Sequence, residues 1–193
     1  MKKEKKGRVI LMAVILLFIL GFFVSQYIGN LRQEDRAARL VISRAYSELK
    51  SISKQLDVLT YRGESGEDNI EENMLELAVL SNSLVRLDGI LSQHAWSFPS
   101  GGLGYGGVPN FGCISRTIIS HGGHRQNSPP ISRGGILSEH DLAYLNTLRY
   151  DINHLLALMA CPEDQINVNQ SLTVHQFNFM LGEFFSKWSF PVE

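Results

Sequence analysis

The sequence predicts an all-α protein in which a single N-terminal transmembrane helix continues into an antiparallel bundle of about four helices. A basic start (residues 2–8) precedes an uncharged apolar run (9–28), and four later stretches space their apolar residues as helices do. Glycine, serine and proline are concentrated between the second and third of these helices, at 96–135. The predicted parts are therefore a basic tail (1–8), a transmembrane helix (9–28) and a helical domain (31–193) that contains the loop 96–135.

The apolar run from Val9 to Ile28 has the length of a membrane-spanning helix. Its 20 residues would span about 30 Å, the thickness of the bilayer's hydrocarbon core. Ser25, Gln26 and Tyr27 lie near its end, where polar and aromatic side chains suit the membrane interface. A cleaved signal peptide is the alternative. The run ends in the sequence FFVSQY, which lacks the small residues of a cleavage site, so we expect a retained signal anchor.

The charges that flank this run favour a cytoplasmic N-terminus. Five cations precede it, and four arginines follow it, at positions 32, 36, 39 and 44. A tight cluster of cations is costly to translocate, whereas a long C-terminal domain crosses largely regardless of its charge. We therefore expect a single-pass protein of the cell membrane, with residues 31–193 outside the cytoplasm.

The first helix is predicted to extend beyond the bilayer. Apolar residues recur there at alternating spacings of four and three, which is a heptad seam. Gly63 suits the left-handed backbone that ends many helices. The seam can pack against the next helix of the chain or form a coiled coil with a second copy. Its residues are Ala38, Ile42, Ala45, Leu49, Ile52, Leu56 and Leu59.

A second helix is predicted after a capping-box-like start at Asp68 and Glu71. The short connection 61–67 predicts an antiparallel hairpin with the first helix. The apolar stripe of the second helix, which Ser81 interrupts, is Ile70, Met74, Leu77, Leu84, Leu87 and Leu91.

Two further helices begin at capping boxes, Ser138 with Asp141 and Thr173 with Gln176. Prolines 162 and 191 mark their ends. Core packing is the expected role of both stripes, although the aromatic fourth stripe could also meet a partner protein. The third stripe is Leu142, Leu145, Leu148, Ile152, Leu155 and Met159, and the fourth is Phe177, Met180, Leu181, Phe184 and Trp188.

The loop 96–135 carries the residues most suggestive of chemistry. His121 and His124 are separated by two glycines, and Cys113 lies upstream, so these three are candidate metal ligands. Structural zinc sites normally combine two closely spaced pairs of cysteine or histidine ligands, and only one such pair is present. We therefore interpret the histidines as solvated loop residues and predict no cofactor. The glycine run 101–107 lacks the G-x-G-x-x-G spacing, and no G-x-S-x-G motif is present. Within the loop, Ile114–Ile119 is predicted as a short strand.

The charge balance and the cysteines bound the choice of partners. Residues 9–193 carry 13 basic and 18 acidic side chains without a basic cluster, which argues against nucleic-acid binding. Cys113 and Cys161 are the only cysteines. Outside the cytoplasm they can form a disulfide, whereas in the cytosol they would be two thiols.

The function expected from these features is that of a non-enzymatic membrane-anchored protein, an accessory or scaffold subunit of a membrane complex. Its expected partners are the lipid bilayer and another protein or a second copy of the chain. One alternative is a small-ligand sensor that acts through a partner, because helical bundles bind ligands between helices. A second alternative is a metal-binding protein that uses His121 and His124.

Overall fold

The structure, a computed structural model, describes residues 2–65, 69–95, 111–119, 130–131, 134–164 and 166–188. Within these ranges it contains five α-helices and no strand, so the predicted all-α class is confirmed. Contacts divide the chain into two units, Met1–Ala38 and Arg39–Glu193, which are described separately below. The helices are α1 (Lys2–Ser65), α2 (Ile70–Ala95), α3 (Phe111–Ile119), α4 (Glu139–Met159) and α5 (Val174–Lys187).

The first unit consists of the N-terminal part of α1. Its large apolar side chains from Ile15 to Leu31 are between 44% and 77% exposed, with Phe18 the most exposed. By length and composition, α1 is the one helix among the described residues that could cross a membrane. Apolar residues on every side of a helix are typical of a span that contacts lipid.

The second unit begins with the remainder of α1, which carries the predicted heptad seam. The six seam residues from Ile42 to Leu59 are buried, with exposures of 0–4%, and Ala38, the last residue of the first unit, is 4% exposed. The prediction that Gly63 ends the helix is wrong, because α1 continues to Ser65. Gly63 is the next position of the seam, and the side chain of Leu142 occupies the space that a Cβ there would need. A close approach of α4, and not a change of backbone hand, explains this glycine.

Helix α2 carries a second heptad seam, which differs from the predicted stripe at its start. Ile70 and Met74 are 43% and 46% exposed, so their assignment to the core is wrong. Asn73 occupies the core position instead, and its Nδ2 donates to the carbonyl of Gly135 at 3.1 Å. A buried Asn in a seam fixes the register of its helix. The full seam is Asn73, Leu77, Leu80, Leu84, Leu87 and Leu91, all at 0% exposure. Asp68 lies outside the described residues.

Polar contacts give the directions of the helices that flank α1. As the residue number rises along α1, the number of its partner falls in both α2 and α4, so α1 is antiparallel to both. The contacts with α2 are Glu48–Arg86, Gln55–Ser83 and Arg62–Glu72. Those with α4 are Ser53–Asn153, Asp57–Arg149 and Glu64–Asn146.

Helix α3 lies where a short strand was predicted, so that prediction is wrong. Phe111, Ile114 and Ile118 recur at spacings of three and four and are fully buried. Helical spacing therefore overrides the β propensity of the isoleucines. Ser115 contacts Ser81 of α2 through hydroxyl groups 2.7 Å apart. This buried contact explains the serine that interrupts the apolar stripe of α2.

Helices α4 and α5 begin at the predicted capping boxes. The Ser138 hydroxyl accepts from the backbone N–H of Asp141 at 3.2 Å, and the Asp141 carboxylate accepts from the backbone of Ser138. Thr173 and Gln176 repeat the arrangement. Both predicted starts are thus confirmed. Pro191 lies outside the described residues, whereas Pro162 follows the end of α4 as predicted.

Candidate functional site

A buried carboxylate joins α4 to the end of α5. Asp151 is 7% exposed. Its Oδ1 accepts from the Lys187 ammonium at 3.0 Å, and its Oδ2 accepts from the Trp188 indole N–H at 3.1 Å. Tyr144 packs edge-on against the Trp188 ring, with centroids 5.3 Å apart. Both carboxylate oxygens are therefore engaged by protein donors, which compensates the cost of burying a charge.

Two cavities lie beside this contact and share Asp151 and Lys187 in their lining, and they are here termed together the α4–α5 groove. A cavity of about 210 Å³ lies beside His154, Leu158, Met180 and Glu183. A more open cavity of about 540 Å³ lies beside His140, Tyr144, Thr147 and Trp188. The α4 residues recur at spacings of three and four, so they share one face of that helix.

The larger cavity of the groove has the size and the kinds of side chain that small-molecule sites have. Small-molecule sites combine apolar and aromatic walls with a few polar groups in cavities of about 300–1,000 Å³. The larger cavity falls within that range, and Tyr144 and Trp188 supply its aromatic wall. His140 and Thr147 offer exposed polar groups at its rim. The groove could thus receive an aromatic or mixed polar ligand.

A second carboxylate of interest lies where α3 begins. Asp88 of α2 accepts hydrogen bonds from the backbone N–H groups of Phe111 and Gly112. It thus caps the N-terminus of α3 from another helix, where a negative charge is favourable. Burial raises the pKa of Asp88, and the two backbone hydrogen bonds, followed by the charge of Arg116, oppose that rise. This arrangement is structural, because it attaches α3 to α2.

The candidate metal ligands are only partly described. His121 and His124 lie outside the described residues. Cys113 lies in the first turn of α3, where its Sγ accepts from Arg116 Nη2 at 2.9 Å. Within the described ranges, no three histidine, cysteine or acidic residues form a group that could hold a metal ion. The metal site therefore stays a prediction.

The two cysteines occupy different parts of the second unit. Cys113 belongs to α3, and Cys161 follows the end of α4. Both are half-buried and carry thiols in the structure. Backbone hydrogen bonds hold Cys161 in the short antiparallel contact that joins Ala160 to Val168, where its N–H donates to Asn167 at 2.7 Å. The Cys113–Cys161 disulfide also stays a prediction.

The α4–α5 groove was not among the sites that the sequence suggested. The spacing of His140, Tyr144, Thr147, Asp151 and His154 is a signal that could have found it, because these polar residues share one face of a predicted helix. Nothing in the sequence indicated the ion pair with Lys187 or the hydrogen bond from Trp188, because these residues lie 36 and 37 positions from Asp151.

Comparison with known proteins identifies no relative. The chain matches no protein-family model, no curated protein and no solved structure.

Proposed function

We propose that this protein is a non-enzymatic, single-pass membrane protein that serves as an accessory or scaffold subunit of a membrane complex. Its N-terminus lies in the cytoplasm, and its helical domain lies outside. The observation that carries the proposal is the exposure of large apolar side chains around α1 from Ile15 to Leu31. A surface of this kind is stable in a bilayer and not in water.

The domain that follows is proposed to be an antiparallel bundle built on α1, α2, α4 and α5, with α3 added beside α2. Support comes from the antiparallel polar contacts of α1 with two helices. It also comes from the shared apolar core, to which every helix of the second unit contributes. Such a bundle offers rigid helical faces to a partner.

The polar contacts inside this domain support a structural role. Asp151 holds the end of α5. The buried Thr60 hydroxyl donates to the Leu56 carbonyl at 2.8 Å and accepts from Arg149 at 2.6 Å. The Ser81–Ser115 pair joins α2 to α3. Each of these groups satisfies another part of the fold, which is the usual purpose of buried polar side chains.

The experiment that tests this proposal is protease accessibility of a C-terminal tag in spheroplasts with an intact inner membrane. We expect the tag to be digested before lysis, and the protein to stay in the membrane fraction after alkaline extraction. Protection of the tag until lysis would overturn the proposed orientation. Release by alkali would overturn the anchor itself.

A small-ligand sensor is the second candidate, and the α4–α5 groove favours it. The test is a thermal-shift screen of the purified protein against small aromatic and carboxylate-containing compounds. A ligand present at 100 times its Kd stabilises the folded state by about 2.7 kcal/mol. Thr147→Trp is a control, because Thr147 is exposed and a larger side chain there would project into the 540 Å³ cavity and obstruct it. A true ligand shifts the wild type and not this variant.

A further inference from the structure

The larger cavity of the α4–α5 groove presents a cation beside aromatic side chains. Among the described residues that line this cavity, only Asp151 and Lys187 are formally charged at neutral pH. The Lys187 side chain is 50% exposed, whereas that of Asp151 is 9% exposed. The member of this ion pair that a ligand can reach is therefore the cation.

The Lys187 ammonium keeps hydrogen-bond donors for a ligand. A lysine ammonium has three N–H donors, and Asp151 Oδ1 accepts one of them at 3.0 Å. Within the described part of the chain, no second protein acceptor contacts this ammonium. The other oxygen of Asp151 accepts from the Trp188 indole N–H, so the protein already compensates the carboxylate. The free donors of the ammonium suit an anionic ligand, since hydrogen bonds between charged groups are the strong ones.

Trp188 places the aromatic wall close to this cation. Its indole N–H donates to the same carboxylate that holds Lys187, and its ring packs against Tyr144 with centroids 5.3 Å apart. The cation and the Tyr144 ring therefore lie within one side chain of each other. A ligand that carries its carboxylate on a short linker from an aromatic ring matches this spacing.

Thr147 adds a polar position to the same wall. It is exposed and lies one helical turn before Asp151 on α4. Its hydroxyl donates to the Ala143 carbonyl at 2.9 Å, so the lone pairs of its oxygen remain to accept a hydrogen bond. This position favours a ligand whose ring carries an N–H donor.

From these contacts we infer that the larger cavity binds small aromatic carboxylates, with the carboxylate on Lys187 and the ring against Tyr144 and Trp188. The inference rests on the proposal that the α4–α5 groove is a ligand site, and it adds the class of ligand. The smaller cavity does not suit the same carboxylate, because Glu183 lines it and like charges repel.

The contact with Asp151 also prepares Lys187 for a ligand. A long side chain that a ligand must immobilise loses conformational entropy, and this loss weakens binding. Because Asp151 holds the ammonium beforehand, part of that loss has already occurred. An aromatic amine would instead bring a second ammonium to Lys187, and a neutral aromatic compound would lack the charged hydrogen bond.

The test compares three ligands that share one ring system. Indole-3-acetate carries the carboxylate, indole-3-acetamide is its neutral counterpart of nearly the same shape, and tryptamine carries an ammonium. Isothermal titration calorimetry at neutral pH measures their affinities for the full chain in detergent micelles. We expect indole-3-acetate to bind at least about tenfold more tightly than either of the others, the gain typical of a hydrogen bond between charged groups.

Variants of Lys187 assign this preference to one residue. Lys187→Met removes the ammonium and should lower the ratio of the carboxylate and amide affinities to about one. Lys187→Arg keeps a cation that Asp151 can hold, and it should retain most of the ratio. Lys54→Met is the control, because it removes an exposed lysine of α1 outside the groove. Each ratio compares two ligands on the same variant, so a change in stability affects both ligands alike and cancels.

Three results would overturn the inference. They are an absence of indole-3-acetate binding, an amide or amine that binds as tightly as the carboxylate, and a preference that persists in Lys187→Met. Failure of the sensor candidate itself is a different result, in which no compound of the thermal-shift screen stabilises the wild type. Neutral aromatic compounds that bind the wild type but not Thr147→Trp would retain the groove as a ligand site and refute only the carboxylate class.

Discussion

Two stretches of α1 are rich in apolar residues but bury them differently. Between Ile15 and Leu31 the large apolar residues are 44–77% exposed, whereas the seam residues from Ile42 to Leu59 are at most 4% exposed. The first stretch is apolar on every side, and the second has one apolar face and an opposite face with charges such as Arg44 and Lys54. Helical periodicity, more than apolar content, therefore separates a lipid-facing stretch from one that packs against protein.

The comparison predicts the largest loss of stability from a truncation within the seam. Leu56→Ala should lower the free energy of unfolding by about 2–5 kcal/mol, because Leu56 is fully buried and belongs to the apolar core of the second unit. Leu40→Ala is the matched control on the same helix. Leu40 is 52% exposed, so its effect should stay within about 0.5 kcal/mol. Urea unfolding of the full chain in detergent, followed by circular dichroism, measures both.

A charge in the first stretch should weaken membrane insertion and leave the stability of the folded domain unchanged. Phe18→Arg places a cation near the centre of the proposed span and should raise the free energy of insertion by about 2.5–3.5 kcal/mol. The fraction that resists alkaline extraction should fall, while the urea midpoint stays unchanged. Phe18→Leu is the control that keeps the span apolar. If Phe18→Arg lowered the urea midpoint as much as Leu56→Ala does, the first stretch would contribute to the folded core as the second does, and the proposed contrast between them would be wrong.

A smaller effect is expected at the turn that precedes α4. Gly135 has φ +71°, and a Cβ there would lie 2.7 Å from the backbone oxygen of Ile70. Gly135→Ala should therefore destabilise the domain by about 1–3 kcal/mol. Gly134, with φ +91°, has open space around it. Gly134→Ala is therefore a control that introduces the backbone strain of a positive φ but no contact with Ile70. Equal melting temperatures for the two variants would show that the contact with Ile70 adds nothing.

The smallest expected effect depends on pH. Because the pKa of Asp88 is raised above 3.8 in the folded state, the stability that this group contributes is present below that pH. It is lost as the pH rises through the raised value. Asp88→Asn cannot ionise, so its melting temperature should rise relative to that of the wild type between pH 3.5 and pH 7. A difference that does not change with pH would show that Asp88 does not titrate in this way.

Local signals in the sequence predicted much of this fold. The seam of α1 and the two capping boxes were correct because they depend on residues within one or two helical turns. The prediction for the start of the α2 seam was wrong. The first core position of that seam is Asn73, and a polar residue there concealed the heptad spacing. The hydrogen bond that the Asn73 Nδ2 donates to the Gly135 carbonyl joins residues 62 positions apart.

Long-range contacts account for the remaining differences. Ile114 and Ile118 suggested a strand, and α3 instead buries them on one helical face and attaches through Asp88 and Ser115. Gly63 suggested a helix end, and its role depends on Leu142 of α4. The α4–α5 groove depends on Asp151 meeting α5. None of these pairings has a signal in the local sequence.

The contacts of α1 also determine the order in which a growing chain can assemble. The pairs Glu48–Arg86 and Gln55–Ser83 become available once α2 has left the ribosome. By contrast, Lys50 donates to the carbonyl of Ile166, and Arg39 donates to that of Gln170. These links span 116 and 131 positions. During synthesis, part of the surface of α1 therefore stays uncovered until residues 166–170 have been made, an interval in which a chaperone would protect that surface.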